Sequence, residues 1–131
     1  MKRSPEANTL EAGVGSCDAD ALARLRKWGG EKLVRDMLRL FRAQVFERVA
    51  AARNGIRTRD AAEVERAAHA LKSSCGQLGA VSMQALCAKI EAHAQRSEWP
   101  ELPAMLLALE EEHVCYLNWL ANVVPDLEES R

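Results

Sequence analysis

Four stretches of this chain carry apolar residues at helical spacing, and only short runs of glycine, proline and polar residues separate them. The longest, from Glu31 to about Arg53, repeats Leu33, Val34, Met37, Leu38, Phe41, Val45 and Val49 over about six turns. Asp60 to Leu78 does the same through Val64, Ala67, Ala68, Leu71, Cys75 and Leu78. Ala80 to about Gln95 continues with Met83, Leu86, Cys87, Ile90 and Ala94. The last stretch runs from Pro103 to about Val124, with Leu102, Leu106, Leu109, His113, Tyr116, Leu117 and Leu120 on one side. A helix with one apolar stripe is stable only when that stripe is covered. Four of them joined by short turns cover one another as neighbours in an antiparallel arrangement.

The expected fold is therefore all-α, an antiparallel up-down four-helix bundle with helices crossing at roughly 20°. A short additional N-terminal helix, Asp18 to Trp28, is expected to take its cap from Ser16 or Asp18, bury Leu22 and Leu25, and end at Gly29-Gly30. Trp28 is expected to close one end of the core. Asn54-Gly55 reads as the turn into the second long helix. Residues 1–16, with Pro5, Gly13 and Gly15, read as a flexible tail, residues 17–125 as the bundle, and residues 126–131 as a frayed tail behind Pro125.

Composition narrows the function classes. At 131 residues and 48% apolar content the chain can build one core. A net charge of −1 speaks against a dedicated nucleic-acid binder. The N-terminus lacks the apolar stretch of a secretory signal, and the longest apolar run, Met105 to Leu109, is too short to span a bilayer. A cytoplasmic protein with no membrane association is expected. Cys17, Cys75, Cys87 and Cys115 have no paired metal spacing and are expected as free thiols.

The chemistry concentrates in Asp60–Ala80. Asp60, with Glu63 three residues on, is a capping pair for the helix start, and Gly79 is a left-handed stop. On the wheel, His69, Lys72, Ser73 and Gly76 form a second stripe pointing away from Leu71 and Cys75. His69 should stand in water, with Glu65 and Arg66 one turn before it. Neutral imidazole is a nucleophile for a phosphoryl group, and an ordinary histidine is roughly three quarters neutral at pH 7. An ammonium one turn away can offset phosphoryl charge. The small residues beyond leave room for another protein to close over the ring. Gly76 in a helix interior costs about 1 kcal/mol relative to alanine, and access to His69 is a reason for it.

His69-Ala70-Leu71-Lys72-Ser73-Ser74, followed by Gly79-Ala80, resembles the histidine-containing phosphotransfer (HPt) domain of multistep phosphorelays. Ser73 departs from the glycine most common there but is still small. The resemblance implies that His69 accepts a phosphoryl group from a receiver-domain aspartate and passes it to another response regulator, with Lys72 as electrostatic support. It also implies a partner-binding surface over Arg66, Ser73, Gly76 and Gln77, and a structural role for Gly79 and Ala80. The partners would be response-regulator receiver domains and a hybrid sensor histidine kinase. No cofactor is expected in this chain; magnesium would sit in the partner's receiver domain. The protein would be a monomeric phosphoryl carrier rather than a stand-alone enzyme, and Met1 together with room for a full bundle favours a free-standing one.

Two other readings compete. A helical-bundle adaptor would bind signalling partners without phosphotransfer. A di-iron bundle is suggested by the Glu-x-x-His spacing of Glu110 and His113, but Arg66 and Ile90 stand where the second copy would need glutamate. His93 borders a core face without an evident role. Arg35, Arg39, Arg42 and Arg48 lie off the apolar stripe of their helix; they read as a solvated face of which one or two could meet a partner.

Overall fold

A computed structural model describes residues 17–124, which fold as four α-helices: α1 (Ala19–Thr58), α2 (Ala61–Leu78), α3 (Val81–Gln95) and α4 (Leu102–Val123), with a 3-10 turn (Trp99–Glu101) before α4. Among the described residues there are no strands beyond an isolated bridge between Cys17 and Ala80. The expected four-helix bundle is what forms. The tail assignments for residues 1–16 and 126–131, and the stop at Pro125, lie outside the described residues.

The short N-terminal helix and the first long one are a single helical run bent at Gly30, whose φ of 73° and ψ of −169° interrupt the α geometry. Arg26 ion-pairs with Glu31 across the bend and donates from Nη2 to the Val123 carbonyl at 3.2 Å, tying the bend to the end of α4. Trp28 does not close the core. It is 86% exposed, because the bend carries residues 19–29 over α2 and leaves the indole on the outer side. Leu22 is buried as expected and Leu25 packs against the core.

Asn54-Gly55 is not a turn either. The helix runs on to Thr58 and stops at Arg59, in the left-handed region at φ 60°. Gly55 is buried there because α2 crosses close to it: a Cβ would lie 2.7 Å from Val64 Cγ2. The glycine signal reported a helix crossing, not a chain reversal. Asp60 then caps α2 by accepting from the Glu63 amide at 3.1 Å, as expected, while the Glu63 carboxylate is taken by Asn54 Nδ2.

Gly79 ends α2 at φ 77°. It has a second constraint, since a Cβ would sit 2.3 Å from the Asp18 carbonyl oxygen, and the Asp18 amide donates to the Gly79 carbonyl at 2.8 Å. Asp18 is also the N-cap of α1, accepting from the Asp20 amide. The α2–α3 turn is thus held by the start of the described chain. Tyr116, buried on α4, donates to the Leu78 carbonyl beside it. Val34, Leu38, Val64, Leu71, Cys75, Met83, Cys87, Ile90, Leu102 and Leu109 meet in one core, at most 2% exposed. It gives α2 the rigid seat on which its outer face depends.

Candidate functional site

α2 and α3 run antiparallel from the Gly79-Ala80 turn, so residues equally far from it face each other. Gly76 meets Gln84 and Glu65 meets Gln95, whose Nε2 donates to the carboxylate at 2.7 Å. Between these pairs His69 meets Glu91. The Nδ1 of His69 lies 2.8 Å from Glu91 Oε2, and Lys72, one turn along α2, donates from Nζ to Oε1 of the same carboxylate at 2.7 Å. Glu91 is 12% exposed, Lys72 33% and His69 61%.

That gradient organises the site. The Lys72 ammonium bonded to it, and then His69, hold the Glu91 carboxyl below the usual carboxylate range against the opposing effect of burial. An ionised carboxylate only accepts hydrogen bonds, so the ring hydrogen on this side belongs to Nδ1. In the neutral ring the lone pair then falls on Nε2, which has no hydrogen-bond partner among the described residues. The arrangement presents a nucleophilic nitrogen outward and leans the opposite edge of the ring on a negative charge.

His69 stands in water as the wheel implied, and Lys72, on the same stripe, is bonded to a carboxylate from the neighbouring helix. Lys72 is two-thirds covered and engaged with Glu91, because the stem of α3 runs alongside it. Ser73 is exposed; Gly76 is not wholly open, since a Cβ there would lie 2.7 Å from Gln84 Nε2, the mobile end of a side chain that can swing aside. The four residues expected at a partner surface separate into two shallow depressions. Arg66 lies with His69, Glu91 and Arg48 of α1 in one of about 630 Å³. Ser73, Gly76 and Gln77 line another of about 570 Å³ with Leu25, Met37 and the exposed Trp28. Ala80 is buried beneath the turn.

The residue that sequence reasoning missed is Glu91. The signal was present: Glu91 stands as far after Ala80 as His69 stands before it, and it flanks the Cys87–Ile90–Ala94 stripe. Of the other histidines, His93 is half-buried with Nδ1 2.8 Å from Glu98 Oε1 at the end of α3. His113 stacks edge-on against Phe41 at 6.1 Å, and burial, with Arg42 adding to it, pushes its pKa down. Glu110 turns away to Arg53 at 2.8 Å, so the Glu-x-x-His pair does not converge. Among the described residues no group of His, Cys, Asp or Glu side chains could hold a metal ion, none of the four cysteines is in a disulfide, and no helix is long and apolar enough to cross a membrane.

The family model of the Hpt domain matches residues 36–114, which include His69, Lys72 and Glu91. The chain belongs to the Hpt domain family. Among solved structures, histidine-containing phosphotransfer protein B (HptB) from Pseudomonas aeruginosa PAO1 is similar, with a TM-score of 0.75 and 24% identity over 82% of this chain and 93% of that one. At that identity the likeness speaks to the fold. No curated protein matches the chain. As an Hpt domain protein, the chain is a histidine phosphotransfer protein of phosphorelays, a carrier that works with receiver domains and histidine kinases.

Proposed function

We propose that His69 is the phosphoryl-accepting residue, taking the group on Nε2 from a receiver-domain aspartyl phosphate and passing it to the aspartate of another response regulator. The observation that carries this is the exposed ring whose Nδ1 is held by an ionised, lysine-anchored Glu91. The Nε2 lone pair forms the P–N bond as the P–O bond to the receiver aspartate breaks, and that carboxylate leaves with the electron pair. The ring gains positive charge in the same step. Glu91 stabilises it through the Nδ1 hydrogen, which stays on the ring. Return transfer to a second aspartate reverses these events.

Lys72 lies one turn from His69 and shares its carboxylate, so it can redistribute its hydrogen bonds between Glu91 and the phosphoryl oxygens. Arg48 and Arg66 border the same depression and add positive potential where the phosphoryl group would enter. The receiver would cover His69 and extend over Ser73, Gly76 and Gln77 to the depression rimmed by Trp28, where large apolar surface is available. Magnesium would come with the receiver. The cytoplasm fits such partners.

The test is transfer from a panel of phosphorylated receiver domains to the full chain and to His69→Gln. An acid-labile, base-stable adduct on the parent and none on the variant is expected. Labelling that persists in His69→Gln would remove His69 from the role.

A further inference from the structure

The face of α1 turned away from His69 combines arginines with exposed apolar surface. Phe46 and Arg48 are two residues apart and so point about 160° from each other. Arg48 looks toward α2 and His69, whereas Phe46 looks toward α4. On the Phe46 side, Arg35, Arg39, Arg42, Arg53 and Arg57 fall within about 60° of one another, a basic stripe that runs over more than half the length of α1. The facing stripe of α4 is apolar: Leu107 and Val114, each 57% exposed, and the half-buried Leu117, with Glu110 as its one carboxylate. Phe46, 79% exposed, stands within the basic stripe.

The helices leave a groove along this seam. A depression of about 530 Å³ floored by Val45, Val49 and Leu117 adjoins one of about 300 Å³ reaching Leu106 and Leu107. They meet at the Arg53–Glu110 pair, 2.8 Å apart and 58% and 41% exposed. Phe46 to Arg57 spans about 16 Å along α1, and Leu107 to Leu117 about 15 Å along α4, which is three turns of a helix.

We propose that the α1–α4 groove is a second docking surface, which takes an acidic amphipathic helix from a partner protein while His69 stays accessible on the other side. The apolar residues would receive a stripe at i, i+3, i+4 and i+7. The arginines flanking them would meet carboxylates; each guanidinium has five donors, so pairing of Arg39 with Asp36 or Arg53 with Glu110 leaves others to bond with. The shape favours a helix over an anionic bilayer, since a concave seam cannot lie against a flat surface. The charge disfavours a second copy, because five arginines would face five more.

The probe is a synthetic amphipathic helix of about five turns with leucines on one face and glutamates on its flanks, its binding to the full chain followed by fluorescence anisotropy. Saturable binding that weakens with salt and falls at least tenfold in Phe46→Glu and in Val114→Glu is expected, with the circular dichroism of both variants unchanged because both side chains are exposed. Labelling of His69 by phosphoramidate should proceed at the same rate in the saturated complex. Equal binding of a lysine-for-glutamate peptide would overturn the charge assignment. Phe46-dependent dimerisation in sedimentation would give the groove to a second copy, and Phe46-dependent adsorption to anionic vesicles without peptide binding would give it to a membrane; either overturns the proposal.

Discussion

Replacing Glu91 by glutamine removes one negative charge from beneath His69 while keeping the shape of the side chain and its ability to accept a hydrogen bond. The charge centres of a carboxylate and a cationic ring in hydrogen-bond contact are about 4 Å apart, and their attraction is about 1 kcal/mol in water and about 4 kcal/mol at an effective dielectric constant of 20. The site lies between these limits, since Glu91 is 12% exposed and His69 61%. A differential stabilisation of about 1.4–2 kcal/mol in the transition state is a roughly ten- to thirty-fold slowing. The fold should notice less. A single ion pair at the surface contributes under about 1 kcal/mol, so melting should shift by no more than a few degrees. The assay is the initial rate of labelling by phosphoramidate, which needs no docking, read beside thermal unfolding by circular dichroism. A rate within twofold of the parent would refute the idea that Glu91 carries the developing ring charge. A melting point lowered by more than about 10 °C would instead make Glu91 a structural clamp between α2 and α3.

Further outcomes follow from the same geometry. Lys72→Ala should slow labelling roughly tenfold or more while changing stability by under about 1 kcal/mol, since Lys72 is partly exposed and Glu91 keeps its hydrogen bond to His69; unchanged kinetics would contradict its role. Gly76→Gln should fold, by displacing the Gln84 amide, and should slow transfer from a receiver far more than labelling by phosphoramidate; equal effects on both would make it a packing residue. Gly79→Ala should lower stability by more than 1–2 kcal/mol, about the cost of a left-handed non-glycine residue, because its Cβ also collides with the Asp18 carbonyl; a melting curve like the parent's would contradict that. Glu91 has a depressed pKa in the folded protein, so its stabilisation is complete above its ordinary value of 4.5 and disappears as pH falls through the lower folded value. Glu91→Gln should therefore lose less stability than the parent across that acid range, as measured by denaturant unfolding at successive pH values.

The bundle was legible in the sequence because helical periodicity and burial are the same fact seen twice: Val34, Leu38, Leu71, Cys75, Met83 and Ile90 were read as stripe residues and are core residues. Signals with more than one physical cause were misread. Gly55 resembles a turn glycine, yet its small size serves the contact with Val64. Trp28 is apolar enough for a core, but the bend at Gly30 decides where it points, and no periodicity reports a bend angle. At the site, the outward stripe of His69 and Lys72 follows from one helix alone. Glu91 comes from the neighbouring helix and required the register, which the Gly79-Ala80 turn sets. Likewise the arginines of α1 read as a solvated face until α4 supplied the apolar wall beside them.

The most direct test of the assignment of His69 is long-range proton–nitrogen NMR of the phosphorylated protein, made with nitrogen-15 histidine and a phosphorylated receiver as donor. The expected result is a single phosphohistidine, absent in His69→Gln, with phosphorus coupled to Nε2 and a hydrogen retained on Nδ1. Phosphorus on Nδ1 of His69, or on His93 or His113, would contradict it.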